Sequence, residues 1–95
     1  MPYITSKQKR TIEKPLSELS ERVYDLGEFT YAVYYLALSL LRKRGVCYKH
    51  YAEILGALTA TQHELYRREI GPYEEEKLEQ NGDVRLTDSK EKRYA

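Results

Sequence analysis

The apolar positions of the chain fall into blocks with helical spacing. Leu16, Leu19, Val23 and Leu26 recur three or four residues apart, with Glu18, Glu21 and Asp25 on other faces. Pro15 stands just ahead, where a first helical residue needs no N–H, and Gly27 follows as a C-cap. The spacing predicts a first helix over 15–26, behind a polar and basic N-terminal arm over 1–14. Glu28–Arg44 contains no Pro or Gly. Phe29, Val33, Leu36, Ala37, Leu40 and Leu41 form a wide stripe, which Tyr31, Tyr34, Tyr35 and Leu38 extend almost all round. A helix apolar on most faces is covered on more than one side, which in a short chain implies a neighbouring subunit. Arg42, Lys43 and Arg44 suit its C-terminal end, and Gly45 ends it.

A third helix is predicted over 48–70. Its stripe is Tyr51, Ile54 or Leu55, Leu58, Gln62, Leu65 and Glu69, with small residues Gly56, Ala57, Thr59, Ala60 and Thr61 in the middle. Gly71-Pro72 interrupts the pattern. Pro72 either opens a new helix or kinks a continuous one. Tyr73–Gln80 is strongly helix-forming, and Asn81-Gly82 stops it. A strand over 84–86 would have no neighbour to pair with. Residues 85–95 are charged, with Leu86 as an apolar exception, and read as a disordered tail. The expected architecture is all-α: one helical domain over 15–84, a bundle of three to four helices that assembles as a homo-oligomer.

Composition narrows the function classes. The chain has 95 residues and a net charge of +1, which argues against a monomeric nucleic-acid binder. One cysteine makes no internal disulfide, and no Cys/His cluster has zinc spacing, so neither metal nor cofactor is expected. The run Ala32–Leu41 is far short of the roughly 20 residues of a membrane span, and Met1–Arg10 has no signal-peptide core. A reducing, cytoplasmic setting follows. Ten residues are Tyr and one is Phe. Tyr joins a flat apolar body to a hydroxyl that needs a partner, which suits half-buried interfaces and ligand pockets or the margins of a thin core.

Four groups of residues carry candidate chemistry. Tyr66-Arg67-Arg68 with Tyr73 and Lys77 brackets the Gly-Pro break. Guanidinium groups match phosphate oxygens and stack on flat rings, and a helix opening at Pro72 would offer free N–H donors. The plainer reading is a solvated helix end, salt-bridged to Glu64, Glu69 or Glu74–Glu76. Arg42-Lys43-Arg44 with Lys49 and His50 is either a basic patch or the charge complement of a helix terminus. Glu18, Glu21, Asp25 and Glu28 are spaced three, four and three apart, so they share one helical face. A Mg²⁺-dependent nucleotide hydrolase would need such carboxylates in facing pairs. A solvated acidic face is the plainer reading. His50 with Glu53 and His63 with Glu64 make no metal set, and Cys47 has only His50 as a neighbouring base, so no catalytic residue is expected.

Glu64–Lys77 (ELYRREIGPYEEEK), with Asn81-Gly82-Asp83-Val84 after it, resembles the C-terminal signature of a family of short uncharacterised bacteriophage and metagenomic proteins. Gly27-Glu28-Phe29-Thr30-Tyr31 resembles that family's central motif, and Met1-Pro2-Tyr3-Ile4 its opening. The resemblance covers most of residues 1–84 and brings no activity. It implies a setting in which short chains sequester nucleotide messengers of host defence, an analogy rather than a shared motif.

The reading of the whole is a non-enzymatic protein that binds a small anionic nucleotide-type ligand. Arg67 and Arg68 would hold phosphate, while Tyr66, Tyr73 and Tyr31, Tyr34 or Tyr35 would stack on or hydrogen-bond the base or ribose. Lys77 would add charge, and Asn81 and Asp83 would read ribose hydroxyls. The expected partners are a second copy and that ligand, with neither membrane nor nucleic acid. The alternative is a protein-binding or structural phage module. A further alternative is the hydrolase.

Overall fold

The computed structural model describes residues 3–84, and every element among them is helical: α1 (Ser6–Ser20), α2 (Leu26–Arg44), α3 (Tyr48–Leu65), a π-helical turn (Tyr66–Ile70) and α4 (Gly71–Asn81). The expected tail over 85–95 lies outside the described residues. The chain divides within α3 into two compact units, Met1–Ala60 and Thr61–Ala95.

The first helix starts nine residues earlier than the apolar spacing predicts. Much of the expected arm is therefore helical, and Pro15 sits inside α1 rather than at its start. The cause is a reciprocal capping box. Thr5 Oγ1 accepts from the Gln8 N–H at 3.1 Å, and Gln8 Oε1 accepts from the Thr5 N–H at 2.8 Å. Two otherwise unpaired donors are satisfied at once, which fixes the helix start. Ile12, Leu16 and Leu19 then share one face on both sides of Pro15, so the helix keeps a continuous apolar seam through the missing N–H.

The α1–α2 junction has the same logic. Gly27 is not a C-cap but an early residue of α2. Asp25 is the N-cap: its Oδ1 accepts from the Glu28 N–H at 2.7 Å, and Glu28 Oε1 accepts from the Asp25 and Tyr24 N–H groups at 3.1 and 2.9 Å. At the far end, Gly45 has φ +98° and ψ 146°, a conformation that side chains with a Cβ rarely adopt, so the helix stops there.

The first unit packs thinly. Among the described residues only Leu41 is buried, at 7% exposure. It lines a cavity of about 260 Å³ between α2 and α3 with Tyr34, Leu38, Tyr51, Ile54 and Leu58, as the predicted stripes of both helices require. An Arg44–Glu53 ion pair at 3.2 Å crosses the connection, and His50 Nδ1–H donates to the Gly45 carbonyl at 2.7 Å. The basic group Arg42–Arg44 and the pair His50/Glu53 thus serve the α2 terminus and its turn, as the plainer reading has it.

In the second unit, Pro72 lacks the N–H that would continue the α-helical ladder, and its ring would press on the carbonyl four residues back. The backbone widens instead. The Gly71 N–H donates to the Tyr66 carbonyl, a five-residue step, and α4 follows without a break. Of the two sequence readings, the continuous helix is the one observed. Its distortion is a π turn rather than a free helix N-terminus, so the extra N–H donors expected at Pro72 are absent there. Gly82, with φ +86°, ends α4.

Candidate functional site

Around the π turn, five of the residues singled out in the sequence enter three separate pairings: Arg67 and Arg68 with Glu64, Tyr66 with Glu74, and Lys77 with Tyr73. Glu64 lies three residues before Arg67 and four before Arg68, the two spacings that place side chains together on a helix. Arg67 Nη2 and Arg68 Nε both reach Glu64 Oε1, each at 2.5 Å. Adjacent helical residues point about 100° apart, but a carboxylate set between them draws both guanidinium groups to one point. Burial opposes ionisation of Glu64. The hydrogen bond from Arg67, with the charges of Arg67 and Arg68, outweighs it and holds the carboxyl below its usual range.

Tyr66 is tied across the turn. Its hydroxyl donates to Glu74 Oε1, and that hydrogen bond together with the Glu74 charge raises the phenol above its usual value. Residues eight apart on an unbroken α-helix lie about 80° out of line. The wider π turn rotates less per residue, takes up that excess and brings Tyr66 and Glu74 onto one side. On α4, Lys77 Nζ sits 5.6 Å from the Tyr73 ring centroid, in cation–π range, and donates to Gln80 Oε1 at 3.4 Å.

The other expected residues enter none of these pairings in the contacts described. Asn81 is the last residue of α4. Asp83 Oδ1 accepts from the Val84 N–H at 2.7 Å, a local turn contact. Tyr31 and Tyr34 belong to the first unit. Tyr31 packs its ring against Tyr35 with centroids 6.4 Å apart, and Tyr34 lines the α2–α3 cavity.

The acidic series does not form the single face expected of it. Glu18 is on α1, Glu21 caps that helix, and Asp25 and Glu28 spend their oxygens on the α2 capping box. Among the described residues, no group of three or more His, Cys, Asp or Glu side chains could hold a metal ion. No helix among the described residues is long and apolar enough to cross a membrane.

Sequence reasoning placed Glu64 and Glu74 among salt-bridge partners and missed their part in shaping the site. The Glu64 role was open to a spacing argument. The Glu74 role was not, since it depends on the π turn. The charge balance of this segment also matters. From Thr61 to Val84, seven carboxylates (Glu64, Glu69, Glu74, Glu75, Glu76, Glu79, Asp83) stand against Arg67, Arg68 and Lys77.

The chain belongs to the family described as a domain of unknown function, DUF6899, which it matches over residues 1–84. Neither a curated protein nor a solved structure matches it at significant similarity.

Proposed function

We propose that this chain is a non-enzymatic binding protein for a small ligand that carries one or two phosphates and an aromatic base, held at the π turn. The observation that carries this reading is the convergence of Arg67 and Arg68 on one carboxylate oxygen. Two guanidinium groups aimed at a single point present the donor set that a phosphate takes, and Glu64 occupies the place a phosphate oxygen would have. The Tyr73 ring beside Lys77 supplies a stacking face, and Tyr66 supplies a hydroxyl fixed in position by Glu74. The excess of carboxylates around the cluster sets the ligand's charge. A polyanion would be repelled, so the ligand carries few charges, and its phosphate takes the place of the Glu64 carboxylate between the two arginines. Nucleic acid is disfavoured on the same ground. In the bacteriophage setting that the sequence resemblance implies, such a protein would sequester a nucleotide messenger in the host cytoplasm.

The test is a thermal-shift screen against cyclic di- and trinucleotides, cyclic ADP-ribose isomers, ADP-ribose, NAD and mononucleotides. A ligand at 100 times its dissociation constant stabilises by about 2.7 kcal/mol. The expected result is a shift with one class, lost in Arg67→Ala and Arg68→Ala. Cleaved ligand after incubation would turn the reading to a hydrolase. A second reading, a protein-binding module, is favoured by the exposure of Phe29, Tyr31, Tyr34, Tyr35 and Leu36 along α2. It predicts no shift with any nucleotide and a stoichiometric complex with a protein partner.

A further inference from the structure

Helix α1 is charged against its own dipole. Peptide dipoles leave a helix N-terminus positive and its C-terminus negative, so acids belong at the start and bases at the end. α2 obeys this, with Glu28 in its first turn and Arg42, Lys43 and Arg44 in its last. α1 inverts it: no acid stands in its first turn and no base in its last. Lys7, Lys9 and Arg10 crowd its N-terminal half, Glu13 and Lys14 offset each other at its middle, and Glu18 and the C-cap Glu21 stand at the other end, with Arg22 just beyond. In isolation this arrangement destabilises the helix. An antiparallel helix with the same polarity would reverse the sign, because each basic half would meet an acidic half and the two dipoles would oppose.

The same helix has an uncovered apolar seam. Ile12, Leu16 and Leu19 share one face and each remains about two-fifths exposed. Leu16 and Leu19, with Val23, Phe29, Val33 and Leu36, line an open apolar groove of about 310 Å³ between α1 and α2. A seam of this kind in a unit with so little buried surface needs a cover, and the charge pattern says which one.

We infer that α1 pairs antiparallel with α1 of a second copy of this chain about a two-fold axis, with the Ile12–Leu16–Leu19 seam of each copy set over the α1–α2 groove of the other. A two-fold interface is self-complementary by construction, so one charge gradient along one helix supplies both halves of the match. The wide stripe of α2 alone would leave the partner's identity open. The gradient of α1 selects a second copy in one direction, since parallel docking would set base against base.

The experiment uses the full chain and two double variants, Lys9→Glu/Arg10→Glu and Glu18→Lys/Glu21→Lys, followed by sedimentation velocity and far-ultraviolet circular dichroism. Each variant moves α1 toward the charge order its dipole favours, so helicity should be kept or raised. Wild type is expected to sediment as a dimer, or a multiple of one. Each variant alone should dissociate, its dimer dissociation constant raised on the order of a hundredfold by like charges brought face to face. An equimolar mixture of the two variants should recover the dimer, because an acidic α1 then meets a basic one. Raising ionic strength from about 0.05 to about 0.5 M should weaken the wild-type dimer. A monomeric wild type would overturn the inference. So would folded variants that dimerise as wild type does, or folded variants that stay monomeric when mixed.

Discussion

The Gly71 N–H donates to the carbonyl of Tyr66, five residues back rather than four. This one bond decides what lies on which side of the following helix. It lets Pro72 stand in a continuous helix without a collision, and it turns α4 so that Glu74 meets the Tyr66 hydroxyl. Local strain relief and site geometry are thus the same event.

Replacing Pro72 separates them. Pro72→Ala restores the N–H and removes the ring, so the ladder can return to the four-residue step. Helix content and melting temperature should rise, since Pro is less favourable than Ala by about 3 kcal/mol in a helix interior. Tyr66 and Glu74 should move out of line at the same time, and nucleotide binding at this turn should fall. Circular dichroism and a ligand titration read the two effects independently. A variant that gains helix content and keeps full binding would show that the turn plays no part in the site.

The Tyr66–Glu74 bond has a pH signature. The folded chain holds the Tyr66 phenol above its usual value of about 10. A group whose folded value is raised stabilises the fold fully below its unfolded value and loses that contribution as pH rises through the folded value. Stability should therefore fall at alkaline pH, beginning near the ordinary tyrosine range. Tyr66→Phe should flatten that fall, and Glu74→Gln should return the phenol toward its usual range, followed by phenolate absorbance during alkaline titration.

Gly45 carries the turn between α2 and α3. At φ +98° and ψ 146° it lies near a region that essentially only glycine occupies. Gly45→Ala should cost about 1–3 kcal/mol, although nothing within 4 Å would touch the new Cβ. Urea unfolding measures it. A neutral substitution would mean that the turn relaxes freely, taking the His50–Gly45 hydrogen bond with it.

Leu41 offers a contrast, since its role is packing rather than backbone. As the buried residue of the α2–α3 contact, it should cost about 2–4 kcal/mol on truncation to Ala. The exposed neighbour Leu36 should cost the isolated unit far less. Comparing the two by chemical denaturation under conditions that dissociate any assembly isolates the core of a single chain.

Much of this was legible in the sequence, and what was missed has specific causes. The end of α2 and the start of α3 follow from Gly45, whereas α2 starts at Leu26, ahead of the expected Glu28, and α3 gives way to the π turn after Leu65, ahead of the expected Ile70. The start of α1 departs from the expected Pro15 because Thr5-x-x-Gln8, a capping signature outside the apolar pattern, opens the helix first. Asp25-x-x-Glu28 was read as part of an acidic face when it is the same device. The sharing of Glu64 by Arg67 and Arg68 follows from three- and four-residue spacing alone. The Tyr66–Glu74 contact does not, since an eight-residue separation becomes a contact only after the ladder changes register.

Glu64 is where the two readings of the arginine pair diverge most. If Arg67 and Arg68 serve only to brace the helix, Glu64→Gln removes a shared ion-pair partner and confers no new capability. If they serve a phosphate, Glu64 is a competitor that the ligand must displace, and its removal should tighten binding severalfold while raising the association rate. The Glu64 carboxyl is held below its usual range by its two cations. A group lowered in this way contributes to stability above the ordinary carboxylate range, and that contribution is lost as pH falls through the lowered value. Binding should therefore strengthen at acid pH in wild type, as protonation of Glu64 frees the arginines, and Glu64→Gln should abolish that acid dependence. Isothermal titration of wild type and variant across the acid range, with a nucleotide taken from the thermal-shift screen, tests both claims. Unchanged affinity in Glu64→Gln, with the fold intact, would assign the arginine pair to the helix and not to a ligand.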